Sequence, residues 1–200
     1  MAYASWAHPN KTSGNGNDTV SWTGSPHTGR HQRTTTATFA AAGVTSKTLT
    51  INQAGKSEFT DIDDTASINQ SGGTITVSGT SNSSKLTFSL ANNNIGLTLP
   101  ATYTAASATA TNGQAIFADP GAYSQFNFSI TFTEIGANPS TDPRTTQLIV
   151  TDNAGHTDTC LITQAAGAAT LTISPTTIDL DADGTAQSVT VTSNTSWDIS

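Results

Sequence analysis

The sequence predicts an all-β protein made of antiparallel β-sandwich repeats. Apolar and polar residues alternate in several short runs, and a sequence pattern recurs after about 111 residues. The composition agrees, because 34% hydrophobic residues with 16 Gly and 7 Pro favour strands and turns and exceed what a disordered chain contains. No stretch has the sustained 3.6-residue spacing of an amphipathic helix.

The alternating runs locate the predicted strands. Period-two alternation bounded by Gly, Asn and Pro is typical of half-buried antiparallel strands. The Ala-rich stretch 37–42 is also expected to be extended, because Thr34, Thr35, Thr36 and Phe39 favour a strand. The other strands are predicted at 48–53, 74–78, 85–90, 126–132, 147–150, 160–164, 171–173 and 188–192.

Three anchors define the internal repeat. Arg33-Thr-Thr-Thr corresponds to Arg144-Thr-Thr-Gln, 49–55 corresponds to 160–167, and Thr80-Ser-Asn82 corresponds to Thr192-Ser-Asn194. An interval of about 111 residues is the size of one immunoglobulin-like (Ig-like) sandwich. The repeat therefore predicts one complete central Ig-like module at 56–167, flanked by two complementary half-modules. Residues 1–55 are expected to be the second half of a module, and residues 168–200 the first half.

The two half-modules resemble a known family, the BACON domains. The resemblance rests on 171–175, on 189–197 with its Trp197, on Ser5-Trp6 followed by Pro9 and 13–17, on the strand at Arg33, and on 50–55. The central copy departs from the pattern, since Leu86 replaces the first Trp and the Gly-Asn-rich run is absent. The resemblance implies Ig-like modules of the kind found in Bacteroidetes proteins and in virion proteins of crAss-like phages.

Half a sandwich leaves strand edges unpaired and a core face open, so each half-module needs a partner. The two ends of one chain can pair with each other, but the poles of an Ig-like sandwich lie on the order of 35–40 Å apart and the linker 165–169 spans under about 20 Å. The C-terminal half of one subunit can instead complete the N-terminal half of the next, a heterologous contact that produces a ring or a fibre. Alternatively, the chain is part of a longer array of modules.

The charge and composition exclude some classes of binding partner. The net charge is −7 with only 7 Lys and Arg, so nucleic acid and anionic membranes are not expected to bind. The first residues lack the basic and apolar regions of a signal peptide, and one Cys excludes an intrachain disulfide. We therefore expect assembly in a cytoplasm.

Acidic runs, histidines and the cysteine are the candidates for metal or nucleophilic chemistry. Asp61-Ile-Asp-Asp64 is a candidate Ca²⁺ site near a module boundary, although a solvated loop also explains it. Asp179–Gly184 resembles the start of an EF-hand loop but lacks the final Glu, so a hairpin turn is expected, as at Gly72-Gly73. Loop positions are expected for His8, His27 and His31, and a core position for Cys160. No metal, cofactor or catalytic residue is predicted.

Aromatic and β-branched residues are the remaining candidates for binding. An interface or glycan platform is predicted from Tyr3, Trp6, Trp22, Tyr103 and Tyr123. Strand exchange between subunits is predicted for Val189, Val191, Trp197 and Ile199, with Trp197 filling the space between sheets.

Two functional classes follow, neither of them enzymatic. The first is a virion structural protein, an auxiliary, decoration or head-fibre protein that contacts the major capsid protein or other virion proteins and associates head to tail. The alternative is an adhesion module that binds host-surface or mucin glycans.

Overall fold

A computed structural model of the protein describes residues 3–200; the first two residues of the predicted N-terminal half-module lie outside that range. All regular structure among the described residues is β. The strands in chain order are β1 (Ala7–Pro9), β2 (Trp22–Gly24), β3 (Arg33–Phe39), β4 (Lys47–Gln53), β5 (Thr60–Ile62), β6 (Thr65–Ile68), β7 (Gly73–Ser81), β8 (Leu86–Ala91), β9 (Thr102–Ala105), β10 (Ala108–Thr111), β11 (Phe126–Ile135), β12 (Arg144–Asp152), β13 (Thr157–Gln164), β14 (Leu171–Ser174) and β15 (Thr190–Ser193).

Strands β5 to β13 form a two-layer sandwich. One sheet has the order β10-β9-β11-β7-β5, and the other has the order β6-β13-β12-β8. Alternate residues of each strand point into the space between the sheets, where Phe88 contacts Tyr103 and Phe128 through edge-to-face ring pairs. The core is apolar and closed: Val77, Leu148 and Ile162 are fully buried.

The predicted all-β sandwich class is confirmed, and every alternating run from the sequence overlaps a strand, although 188–189 precede β15 and Lys85 precedes β8. One pairing differs from the antiparallel expectation, because β6 runs parallel to β13. The short strands β1, β2, β5, β6, β9 and β10 were not predicted, since three or four residues are too few to show a period.

Gly72-Gly73 does not form the predicted hairpin. Both glycines have positive φ, and the Gly72 N–H donates to the Asn69 carbonyl, so the chain does turn there. However, β6 and β7 on either side belong to opposite sheets. The turn therefore carries the chain across the core instead of joining neighbouring strands.

The remaining strands form three small sheets outside the central sandwich. The N-terminal segment, residues 3–55, holds the pairs β1–β2 and β3–β4, and the C-terminal segment, residues 168–200, holds the pair β14–β15. No sheet of the described residues has strands on both sides of 55/56 or 167/168. The assignment of these segments as half-modules stays a prediction.

The turn at Asp179–Gly184 is also wider than predicted. Gly184 donates its N–H to the Asp181 carbonyl, which closes a local turn. The strands that pair are nevertheless 171–174 and 190–193, so residues 175–189 form a long connection instead of a tight hairpin. Within residues 3–200, no helix is long and apolar enough to cross a membrane.

Candidate functional site

Two of the predicted platform aromatics lie together in an open cleft of the N-terminal segment. The rings of Tyr3 and Trp22 meet edge to face with centroids 4.9 Å apart. The cleft has a volume of about 620 Å³, and Val20, Ala37 and Phe39 also line it. The Lys11–Asp18 ion pair also lines the cleft, beside these apolar side chains. A cleft of this size between two short sheets is either a binding site or an uncompleted core.

Trp6 lies apart from this pair and contacts an arginine. The Arg33 guanidinium carbon lies 4.7 Å from the centre of the Trp6 ring, a cation–π contact. The guanidinium also donates to the Gln53 side chain at 2.8 Å and to the Ser25 carbonyl at 2.7 Å. One face of the indole is thus covered by a fixed cation, and the ring remains half-exposed.

The other two predicted aromatics do not extend the platform. Tyr103 lies in the sandwich core, where burial raises the pKa of its hydroxyl to about 12. Its assignment to an exposed platform is therefore wrong. Tyr123 is exposed, but its ring packs against His31 at 5.6 Å, at the contact between the N-terminal segment and the central sandwich. The five aromatics do not form one binding surface.

The apolar face of the N-terminal segment corresponds to a closed face of the central sandwich. Strands β3 and β4 pair with Arg33 opposite Gln53, just as β12 and β13 pair with Arg144 opposite Gln164. In that shared register, Leu49 takes the place of Cys160 and Phe39 takes the place of Val150. Leu49 and Phe39 are 38% and 45% exposed, whereas both counterparts are fully buried.

The C-terminal segment shows the same difference. Strands β14 and β15 pair with Leu171 opposite Ser193, as β5 and β7 pair with Thr60 opposite Ser81. Val189 then corresponds to Val77 and Leu180 to Ile68; both C-terminal residues are exposed and both counterparts are buried.

The predicted exchange residues all belong to this C-terminal face. Val191 is half-buried, while Val189, Trp197 and Ile199 are exposed in the single chain. Trp197 corresponds to the buried Leu86, and Ile199 to Phe88. In the single chain Trp197 is exposed, because the C-terminal segment supplies only one small sheet. That its ring fills the space between the sheets of a completed module stays a prediction.

An asparagine joins the N-terminal segment to the central sandwich. Asn82 is fully buried at the end of β7. Its amide nitrogen donates to the carbonyls of Thr28 and Ser57 at 3.0 and 3.1 Å, and its oxygen accepts the N–H of Phe59 at 2.9 Å. One side chain thus satisfies three backbone groups, one in the N-terminal segment and two at the start of the central module.

Asn194 repeats this arrangement between the central sandwich and the C-terminal segment. Its amide nitrogen donates to the carbonyls of Pro139 and Ala168 at 2.9 and 2.8 Å, and its oxygen accepts the N–H of Thr170 at 2.8 Å. Each partner lies about 111 residues after its counterpart in the first joint. The protein therefore builds the same module-to-module joint twice.

The first joint carries further contacts. Arg30 donates from Nε to the Asn82 carbonyl at 2.6 Å and from Nη2 to the Asp119 carboxylate, with Glu58 at 3.8 Å. Backbone packing is close as well, since a Cβ at Gly121 would collide with the Asn82 carbonyl. The sequence showed the Thr-Ser-Asn repeat but did not predict that its asparagines and Arg30 join the segments. For the two asparagines, the repeat was the signal that could have indicated this role.

The metal candidates have structural roles. The Asp63 carboxylate accepts the Ser78 N–H at 3.0 Å, and His27 Nε2 donates to the His31 carbonyl at 2.7 Å. His8 shares a hydrogen bond with the Ser25 hydroxyl. Among residues 3–200, no three His, Cys, Asp or Glu side chains are grouped as a metal site requires.

Cys160 lies in the core as predicted. Burial, together with the negative charges of Asp63, Asp64 and Asp158, raises the pKa of its thiol to about 11. A thiol in this environment is a poor nucleophile.

Comparison with known proteins agrees with the resemblance found in the N-terminal sequence. Residues 1–54 match the family model for BACON, described as "Putative binding domain, N-terminal". The match supports a BACON-type domain in this part of the chain. No curated protein sequence matches the chain.

Proposed function

We propose that this chain is a non-enzymatic structural protein that associates head to tail by strand complementation. One observation carries the proposal: apolar residues exposed at both ends correspond to residues buried in the central sandwich. Leu180 is 66% exposed where Ile68 is 4% exposed. Burial of a Leu, Ile or Val side chain contributes about 1.5–3 kcal/mol, so two such faces favour association strongly.

A passive role is supported by how the chain uses its polar groups. Asp152 is buried and accepts hydrogen bonds from the backbone and the ring of His156. Glu58 accepts from Ser83 and Ser84, and Asp158 caps the Ile62 N–H. These carboxylates hold loops and strand ends in place, which is a structural use of their charge.

We place this assembly in a phage virion, as an auxiliary, decoration or head-fibre protein assembled in the host cytoplasm. The partners would be the major capsid protein or other virion proteins. The BACON-type resemblance supports this setting. The acidic surface, with net charge −7, disfavours DNA or anionic lipid as the partner.

Glycan binding is the second candidate, favoured by the half-exposed Trp6 ring beside Arg33 and by the match to a binding-domain model. Indole faces stack on sugar rings, and a nearby guanidinium donates to hydroxyl or carboxylate groups. In this role the protein would bind host-surface or mucin glycans.

Two parallel measurements separate these functions: co-sedimentation with purified phage capsid shells and binding to a mucin glycan array. We expect co-sedimentation and no array signal. Array binding that is lost in Trp6→Ala and retained in the matched control Tyr123→Ala would contradict the structural role and support adhesion.

A further inference from the structure

We propose that residues 176–200 of one copy fill the Tyr3–Trp22 cleft of a second copy, in the strand register that the central sandwich uses internally. The inference rests on the proposed head-to-tail association and specifies its contact surface. The central sandwich serves as the template, because its strands divide into the same two groups as the end segments.

We call the sandwich formed by the N-terminal segment of one copy and the C-terminal segment of another the composite sandwich. The first group supplies one side of it. In the central sandwich, β11, β12 and β13 lie next to each other in sequence, and their counterparts in the N-terminal segment are β2, β3 and β4. The second group, β5 to β8, has its counterpart in residues 171–200. Neither group closes a core alone; in the sandwich 60–164 the two groups enclose one core together with β9, β10 and the segments that join them.

The outer edge of β4 is the first contact of the composite sandwich. Strand β13 pairs with β12 on one side and with β6 in parallel on the other, with Ile162 opposite Ala66 and Gln164 opposite Ile68. Strand β4 pairs only with β3 in the described structure. The template thus aligns residues 177–180 of the second copy along β4, with Ile178 opposite Ile51 and Leu180 opposite Gln53.

The cleft is the second contact. It is lined by Asp18, Val20 and Trp22 on the segment that leads into β2, by the loop 11–16, and by Ala37 and Phe39 of β3. The corresponding space of the central sandwich holds Val77, Leu86 and Phe88, all buried. Their counterparts Val189, Trp197 and Ile199 are therefore the residues that the template places in the cleft.

In the proposed composite sandwich β1 stands in for β9 and β10, which contribute Tyr103, Ala105 and Ala110 to the core of the template. Those strands form the edge of the five-stranded sheet, where β9 borders β11 on the side away from β7. In the N-terminal segment β1 borders β2, with Ala7 opposite Gly24. The proposal assigns β1 to this same edge, so that the opposite edge of the stretch that leads into β2 is open to β15 of the second copy.

A second copy fits this role better than the same chain. The first joint adjoins Ser81 and Phe126 at one end of the β7–β11 pair, and the second joint adjoins Ile135 at the other end. Nine residues of β7 separate these ends by about 26 Å. The two end segments of one chain are therefore attached at opposite ends of the central sandwich, which disfavours contact between them. The contact is heterologous and therefore propagates from copy to copy.

Disulfide trapping tests the register directly. Asn52 and Asp179 are exposed, and their counterparts Thr163 and Ser67 stand opposite each other in the β13–β6 pair. Neighbouring strands lie about 4.8 Å apart, which is within disulfide reach. The experiment mixes an Asn52→Cys chain with an Asp179→Cys chain under oxidising conditions; the buried native Cys160 stays in place.

We expect a cross-linked dimer containing one chain of each kind, absent when either variant is oxidised alone. The matched control is Thr48→Cys mixed with Asp179→Cys. Thr48 lies on the same face of β4 as Asn52 but about 13 Å away along the strand. The control mixture should therefore give no cross-linked dimer.

Three outcomes decide the inference. A cross-linked monomer from the double variant Asn52→Cys/Asp179→Cys would overturn it in favour of closure within one chain. Oligomers without the specific cross-link would overturn the register while leaving head-to-tail association intact. The specific cross-link without binding to capsid shells would support the inference and contradict the virion role.

Discussion

The central sandwich and the two end segments share strand pattern and register but differ in burial. The hairpin β3–β4 pairs as β12–β13 does, yet Leu49 is exposed where Cys160 is buried. Burial therefore depends on whether the opposite layer is present, and the pairing of two strands does not provide it. The apolar faces of the end segments are the same kind of surface as the core, but no second sheet covers them in the described structure.

The two joints differ in a second way. Both are held by an asparagine with equivalent partners, but only the first has Arg30 among Asn82, Asp119 and Glu58. At the second joint Thr141 takes the place of Arg30. The N-terminal segment is thus anchored by more contacts than the C-terminal one, which agrees with the proposed docking of the C-terminal segment on a second copy.

The largest contrast is expected between Phe88 and its counterpart Ile199. Phe88→Ala should lower the free energy of unfolding by about 3–5 kcal/mol, because it leaves a cavity between Tyr103 and Phe128. Ile199→Ala should leave that free energy unchanged in dilute solution, since the side chain is exposed. Urea unfolding measures both; equal losses would show that Ile199 is already buried in the monomer.

The two joint asparagines should differ less. Asn82→Ala leaves the Thr28 and Ser57 carbonyls and the Phe59 N–H without a partner, which should cost about 2–4 kcal/mol. Asn194→Ala should cost about 1 kcal/mol and should act only on the C-terminal segment, because that site is partly exposed. Amide exchange resolved by peptide separates the effects; faster exchange across the whole chain in Asn194→Ala would argue against a local joint.

Arg30 sharpens the comparison between the joints. Arg30→Gln removes a charge-assisted pair with Asp119 and should cost about 1–3 kcal/mol. Thr141→Ala at the equivalent position should change stability by less than about 0.5 kcal/mol. Thermal unfolding of both variants provides the measurement, and an equal effect at the two sites would contradict the assignment of a stronger first joint.

Cys160 and Leu49 offer the smallest but most selective contrast. The folded Cys160 thiol has a pKa of about 11 against 9.0 for the ordinary thiol, so the folded state holds its proton longer. Stability should therefore fall as pH rises from about 9 to 11, and Cys160 should resist alkylation at pH 8.

The matched variant places a thiol on the open face. Leu49→Cys in a Cys160→Ala background should react readily in dilute protein and become protected at high concentration. Alkylation followed by mass spectrometry distinguishes the two sites. Protection of Leu49→Cys at every concentration would mean that the N-terminal face is already covered.

Much of the fold was accessible from the sequence because alternation and repetition are local signals. The repeat placed Arg33 and Gln53 at the same spacing as Arg144 and Gln164, and the structure adds that each pair stands opposite in its hairpin. The extended stretch predicted at 37–42 is a strand only as far as Phe39, where β3 ends. The Gly72-Gly73 hairpin failed, because a positive-φ turn fixes where the chain reverses but not which sheet receives the next strand.

The candidate site was less accessible. Tyr103 stands between Thr102 and Thr104, an alternation typical of a core-facing residue, yet a single aromatic in a four-residue strand gave too weak a period. The asparagine joints depend on side-chain amides meeting carbonyls from distant segments. Composition and spacing do not predict hydrogen bonds between distant segments, although the Thr-Ser-Asn repeat marked the positions of both Asn82 and Asn194.

The most direct test of the central claim is the mass of the protein in solution as a function of concentration. Light scattering should show species rising from 20.5 kDa in whole-chain steps. Val189→Asp should weaken this association about 100-fold or more, because it places a charge in the cleft, whereas the solvent-facing control Thr190→Asp should not. A mass of one chain at every concentration, unchanged by Val189→Asp, would contradict the claim that the two open faces complete each other between copies.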